Sequence, residues 1–309
     1  MSPPEHQPVL LAQVVEALAP PPAGLIVDAT VGLGGHAFAL LTRYPWVRIL
    51  GLDLDPEALA VARERLAGFG DRVCLVAASY SRLAEVARAH GVAAVDGVLF
   101  DLGVSSLQLD TPARGFSFRH DAPLDMRFGP GGETAGELLA SIGEEELVRV
   151  LRDFGEEPRA RRVARAIVRA RVKQALRTTA ELRHVVHAAL GTARGRIDPA
   201  TRTFQALRIA TNRELEGIPP AVEQAVRLLR PGGRLAVIAF HSLEDRLVKR
   251  AFRHLAGRCV CPPGTFACTC QPERLIEVLT PRPLTSADAE VARNPRARSA
   301  RLRIARRAE

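Results

Sequence analysis

Long apolar runs are missing from this chain. The longest are strand-sized, such as residues 234–240, well short of the roughly 18 consecutive residues that a bilayer helix needs. The first eight residues hold no basic segment followed by an apolar stretch, so no secretory signal is read and a cytoplasmic protein is expected. Lysine is almost absent, since only Lys173 and Lys249 of the 43 basic residues are lysines. Codon use in a GC-rich genome accounts for that choice of arginine. No internal repeat is found, and apolar and charged fractions of 47% and 25% exclude a disordered or fibrous chain. Cysteine is scarce as well, with five in 309 residues. Cys74 stands alone in an apolar strand pattern and reads as a core residue.

What is present is an uneven charge. Residues 1–110 hold 7 basic and 12 acidic side chains, a net charge of −5, whereas the remaining 199 hold 36 and 22, a net charge of +14. Codon use does not explain that asymmetry. A basic face attracts polyphosphates, and the planar guanidinium fork suits phosphate. The stretch 291–309 alone holds seven arginines and one acid, which fits contact with RNA phosphates and equally an edge strand with a solvated basic face.

The length allows two domains, or one large domain carrying an insertion. Strand patterns at Leu25–Asp28, Val47–Asp53, Arg72–Ala77 and Val95–Asp101 alternate with helical patterns at Ala37–Arg43, Pro56–Ala67 and Ser81–Ala89, the signature of a parallel sheet. The rhythm then breaks. Residues 110–133 are rich in Pro, Gly and aromatics, and helical patterns follow at Glu137–Leu151, Pro158–Ala175, Thr179–Leu190 and from Pro199 to about Leu215. The first pattern resumes with a helix at Pro219–Arg230, a turn at Pro231–Gly233, a strand at Arg234–Phe240 and a helix at Ser242–Leu255. Short strands at Leu275–Leu279 and Ser299–Ala305 finish it. The expected fold is therefore α/β, a Rossmann-like sheet of about seven strands over residues 1–110 and 216–309, with a mainly helical, substrate-recognising domain inserted at 111–215.

The first strand runs into D-A-T-V-G-L-G-G-H, residues 28–36, and then into a helix. Gly32, Gly34 and Gly35 would let the backbone approach a ligand at the free amides of the helix start, although a plain tight turn has the same composition. Asp53 ends the second strand 19 residues beyond Gly34, where a carboxylate accepts hydrogen bonds from the ribose of an adenosine. The third glycine of a dinucleotide loop is missing, because Ala37 follows. S-adenosylmethionine, which has no phosphate, fits better than a nicotinamide cofactor. Ser79 or Tyr80 after the third strand would flank the adenine, and Asp101, ending the buried run V-D-G-V-L-F-D, would face the ligand crevice. An unpaired carboxylate there is costly unless a ligand or donor meets it.

These residues belong to longer motifs. H-Q-P-V-L-L from His6, G-L-G-G-H from Gly32, D-L-D-P from Asp53, D-L-G-V-S-S-L-Q-L-D from Asp101 and R-G-F-S-F from Arg114 occur in that order. P-L-D-M-R from Pro123, T-R-T-F-Q-A-L-R-I from Thr201, F-H-S-L-E-D-R from Phe240 and N-P-R-A-R-S from Asn294 follow. Over nearly its whole length the chain resembles the RsmH (MraW) family of S-adenosylmethionine-dependent methyltransferases. The resemblance implies methylation of the exocyclic N4 amino group of a cytidine in the decoding centre of 16S ribosomal RNA, with the small ribosomal subunit as partner. It also implies donor contacts from Gly34, Gly35, His36, Asp53, Tyr80, Asp101 and Gln108, with Tyr80 standing where the family usually has phenylalanine.

Methylating an amine needs a group that orients the nitrogen and accepts its hydrogen, and Asp101 is the candidate. The D-P-P-Y segment of many amino-methyltransferases is missing after it. Phe116 and Phe118 are candidates to stack on an unstacked cytosine, or else to pin their loop to the insertion. His241 and Ser242 follow the fifth strand at the same crevice edge, His241 as a base contact and Ser242 as the expected helix cap. Cys259, Cys261, Cys268 and Cys270 form C-x-C-x6-C-x-C, a candidate structural zinc site despite the missing C-x-x-C spacing. The competing readings are a nicotinamide-dependent oxidoreductase and a non-catalytic RNA-binding protein stapled by zinc. The sequence leaves both a monomer and a homodimer open.

Overall fold

The computed structural model describes residues 8–192, 198–262 and 264–309. His6 and Gln7 of the first motif and Pro263 of the cysteine loop lie outside them. The chain divides into two compact units, one taking in the chain up to Gly103 together with Leu215–Glu309, the other Val104–Glu214. The divisions fall at residues 103/104 and 214/215, where sequence reasoning put them at 110/111 and 215/216. No helix among the described residues is long and apolar enough to cross a membrane.

The first unit is built on seven strands: β1 (Leu25–Asp28), β2 (Arg48–Asp53), β3 (Val73–Ala77), β4 (Val95–Asp101), β5 (Leu229–Ala239), β6 (Ile276–Val278) and β7 (Arg301–Arg307). Their order is β3-β2-β1-β4-β5-β7-β6. The first five are parallel, and β7 runs antiparallel between β5 and β6. Side chains alternate across the sheet and both faces are buried. Val27, Leu50, Val98, Phe100 and Val237 enter one core, while Ile26, Ile49, Leu99, Ile238 and Leu302 enter the other. Burial on both faces is why these strands read as unbroken apolar runs.

Several expectations for this unit need correction. Cys74 is exposed, because β3 is an edge strand. β7 is internal rather than an edge, and its Arg303 is buried, with its Nε and one terminal nitrogen 2.7 and 3.1 Å from the two oxygens of Asp245. The helix expected from Pro219 starts at Glu214 and runs through Pro219 and Pro220; proline marks a helix start well, but here the apolar stripe Ile218, Ala221, Val222, Ala225 and Val226 anchors the helix to the core. The Pro231–Gly233 turn is an irregularity inside β5, whose register against β4 shifts between Val95 and Gly97.

The second unit is helical, with Ser106–Asp110, Ala135–Ser141, Glu144–Asp153, Ala160–Lys173, Thr179–Leu190 and Ala200–Asn212 around one core. The single helix expected over Glu137–Leu151 is two. Ile142 leaves helical geometry and Gly143, in an extended conformation, caps the second. Thr178 caps its helix as its position suggests, with its side-chain oxygen accepting from the Glu181 amide at 3.3 Å.

Candidate active site

In an open α/β sheet, ligands meet the carboxyl ends of the strands, and here those ends carry acids. Asp28 ends β1, Asp53 ends β2 and Asp101 ends β4. The loop after β1 passes through Gly32 and Gly34, whose φ angles of +51° and +76° lie in the left-handed region that favours glycine. Gly34 caps the Gly35–Arg43 helix. A Cβ on Gly35 would lie 2.4 Å from Pro8 Cγ, whereas one on Gly32 would meet nothing closer than 3.9 Å. Gly35 is thus a packing requirement and Gly32 leaves an open approach.

Asp53 holds this loop. Its Oδ2 accepts from the Gly32 amide at 2.8 Å and its Oδ1 from the Asp55 amide at 2.9 Å. Each carboxylate oxygen carries a further lone pair, so the pair of ribose hydroxyls expected from the sequence still has acceptors. Burial raises the Asp53 pKa above the ordinary carboxylate value.

Asp101 is the most unusual group. Its amide donates to Thr30 Oγ1 at 2.6 Å, and its Oδ2 lies 3.5 Å from His36 Nδ1. Its Oδ1 is buried and has no hydrogen-bond partner among the described residues. Burial, followed by the charges of Asp28 and Glu244, pushes its pKa up to about 8. Asp28 is pushed up to about 7, again mainly by burial. His36 is itself buried, and its Nε2 is 3.0 Å from the Val9 carbonyl. That contact requires a proton on Nε2, which turns Nδ1 toward Asp101 as an acceptor unless the ring is charged. Neither Asp28 nor Glu244 was singled out from the sequence. A strand-ending acid like Asp53 was the available signal for Asp28, while Glu244 lay unmarked inside the F-H-S-L-E-D-R motif.

A carboxylate cluster of this kind, with few cations opposing it, suits a ligand that brings positive charge and hydroxyl donors. The sequence model of the family described as MraW methylase matches residues 4–308. The chain belongs to the MraW methylase family. Proteins named ribosomal RNA small subunit methyltransferase H from Thermomicrobium roseum and Geobacter sulfurreducens are both 50% identical to it, over 98% and 97% of this chain and 93% and 98% of their own. Among solved structures, an rRNA methylase from Streptococcus thermophilus aligns over 97% of this chain and 94% of its own, with a TM-score of 0.43 and 12% identity, too distant to add to the assignment. The chain is a methyltransferase, and S-adenosylmethionine is its methyl donor.

The remaining candidates of this methylase fall as follows. Tyr80 opens a short 3-10 turn capped by Ser79 and meets Phe100 edge-on, with ring centroids 5.9 Å apart. A Cβ on Gly217 would lie 3.1 Å from Tyr80 Cε2, so that glycine makes room for the ring; nothing in the sequence signalled it. His241, not Ser242, caps the Ser242–Leu255 helix, because its extended backbone lets Nδ1 accept from the Glu244 amide. Glu244 Oε2 in return accepts from the Phe240 and His241 amides at 2.7 and 3.2 Å. His241 Nε2 is buried and makes no hydrogen bond among the described residues, although Glu244 Oε1 is 3.2 Å away.

Gln108, Phe116 and Phe118 belong to the helical unit. Gln108 completes a capping box, its Oε1 accepting from the Ser105 amide at 3.0 Å. Phe116 is buried and stacks on Phe128 at 5.7 Å, and Phe118 packs edge-on against Phe204 at 4.9 Å, with the Arg183 guanidinium over its ring. Phe116 therefore pins its loop into the helical core, the second of the two roles its position allows. Phe118 is only partly buried.

Proposed function

We propose that this methylase transfers a methyl group to the exocyclic N4 amine of a cytidine in the decoding centre of 16S ribosomal RNA, working in the cytoplasm on the small ribosomal subunit or a precursor of it. The single observation that carries the chemistry is the buried, unpartnered Oδ1 of Asp101 at the end of β4. The cytosine amine is a weak nucleophile, since its lone pair is delocalised into the ring. When bound, S-adenosylmethionine supplies an electrophilic methyl on a positively charged sulfur. As nitrogen bonds to carbon, sulfur keeps the electron pair of the broken bond and one N–H proton must leave. Asp101 is the acceptor for that proton and orients the amine beforehand, so proximity and proton acceptance carry the acceleration.

In this reading the donor is held by Asp53 at the ribose, the loop Gly34–Gly35, His36, Tyr80 beside the adenine and, by the family resemblance, Gln108. Phe118 and His241 are the candidate base contacts. Substrate identity draws support from the names of the relatives and from charge. A cavity of about 720 Å³ beside β6 and β7 is lined by Lys249, Arg253, Arg258, Arg274, Arg306 and Arg307, among others. Arg306 pairs with Arg234, five residues before the end of β5, so this basic surface lies toward the end of the sheet away from the acidic crevice and fits RNA phosphates.

Incubation with labelled donor and small subunits lacking the modification, followed by digestion to nucleosides, tests the proposal. N4-methylcytidine at one position is expected. Methyl on a pyrimidine ring carbon or on a ribosomal protein refutes it.

A further inference from the structure

The methyl-transfer reaction makes no use of the loop that joins the Ser242–Leu255 helix to β6. No described residue from 257 to 275 is buried, and Phe266 is fully exposed. A segment with nothing to bury needs another source of order. At its base the chain is clasped: the Gly257 amide donates to the Glu273 carbonyl at 2.9 Å, the Leu275 amide donates to Leu255 at 2.7 Å, and Ala256 forms an antiparallel bridge with Arg274. Beyond the clasp, among the described residues, Cys259, Cys261, Cys268 and Cys270 converge, and their four sulfurs all lie within 4.8 Å of one another.

We propose that these four cysteines bind one structural zinc ion as a tetrahedral thiolate site. A Zn–S distance of about 2.3 Å puts the sulfurs of a regular tetrahedron about 3.8 Å apart. Cys270 Sγ is 3.7 Å from Cys259 Sγ and 3.4 Å from Cys268 Sγ. These are separations for one shared ion: a disulfide would bring a pair to about 2 Å, and a multi-iron cluster would hold its ligands further apart. The C-x-C spacing is compatible, because a one-residue spacer sends both thiols of an extended arm to the same side, and the clasp sets two such arms opposite each other. Backbone amides already point at sulfur, Val260 N–H donating to Cys270 Sγ and Cys261 N–H to Cys259 Sγ, each at 3.4 Å, as thiolate ligands require of their surroundings. Four thiolates on a divalent ion leave excess negative charge, and Arg253, Arg258 and Arg274 stand on the flanking chain.

Metal analysis of the full-length protein, purified without chelators, should give about one zinc per chain, released as a mercurial reagent titrates the thiols. Cobalt substitution should give the visible absorption of a tetrahedral thiolate site. Cys268→Ser should lose the metal while keeping donor binding, and trypsin should cut it at Arg258 and Arg274 on the order of tenfold faster, because metal binding and local folding are coupled. Should that variant fail to fold, the cobalt spectrum of the wild type still decides. A protein that elutes zinc-free after zinc loading, holds iron instead, has its four cysteines in disulfides, or keeps its zinc in both Cys259→Ser and Cys268→Ser overturns the proposal. None of these outcomes depends on which RNA is methylated.

Discussion

The two units treat their acids in opposite ways. In the helical unit Asp125, Asp198 and Glu214 are matched by cations. Asp125 is held below the ordinary carboxylate value by the Arg127 side chain, and although burial works to raise Asp198, His187, the Ala200 amide and Arg183 together bring it lower. Glu214 receives both arms of Arg208 at 2.8 Å. In the sheet unit, Asp28, Asp53 and Asp101 at the strand ends are all raised, with burial the largest cause. Asp245, away from those ends, behaves like an acid of the helical unit: burial is outweighed by Arg303 and Arg301, and its pKa is lowered. Paired acids hold structure together, whereas acids left buried without a cation mark where a ligand is expected to supply one.

The largest effect should come from exchanging one acid of each kind. Asp101→Asn keeps the shape but removes the proton acceptor, so single-turnover methylation of small subunits should slow by about 10²- to 10⁴-fold with the melting temperature near wild type. Asp198→Asn should do the reverse, lowering stability by loosening Arg183 and His187 while turnover stays within about twofold. Equal losses of turnover in both variants would erase the contrast.

A second test uses the aromatics. Phe116→Ala should cost about 3–5 kcal/mol of stability in denaturant unfolding, because the ring is buried against Phe128, while donor affinity measured on the folded protein stays the same. If Phe116 instead grips the target base, stability will hold and the KM for subunits will rise.

Third in size, Asp53→Ala should weaken S-adenosylmethionine about 10- to 100-fold by calorimetry, the value of one or two hydrogen bonds to a charged group. Part of that loss comes from freeing the Gly32 amide, so Asp53→Asn, which keeps one acceptor, should fall between it and wild type.

Legibility in the sequence follows the same division. The sheet unit was readable because its central strands are covered on both faces and β1, β2 and β4 each end on an aspartate. Leu25–Asp28 and Val95–Asp101 match the observed β1 and β4, and the strand-ending acids announced the crevice. Local signals failed where the outcome rests on partners distant in sequence. The strand at β7 was visible, but its place between β5 and β6 depends on pairing across the sheet, and burial of Arg303 depends on Asp245, 58 residues away. Base stacking and loop pinning stayed open for Phe116 and Phe118 because a loop sequence does not reveal that Phe128 and Phe204 will meet them. In the crevice, Glu244 escaped notice since a glutamate at the third position of a helix reads as a capping residue, which it also is.

The most direct test of the contrast reads the proton content of the crevice itself. Asp28 and Asp101, at about 7 and about 8, stay protonated well above their ordinary value of 3.8. An acid whose pKa is raised by folding takes up a proton on folding, so in the free protein these two groups lose stability as pH rises from about 4 through about 8. A donor carrying a positive sulfur favours the ionised carboxylates. Its binding should therefore tighten as pH rises between about 6 and about 8, by up to tenfold per unit for each proton released, and level off above. Calorimetry in buffers of different ionisation enthalpy counts those protons. Asp28→Asn should remove the lower part of the slope and Asp101→Asn the upper part, whereas Asp198→Asn should leave it intact. A dissociation constant that does not change over that interval would mean both carboxylates are already ionised in the free protein, and the difference between the two units would then lie in cation pairing alone.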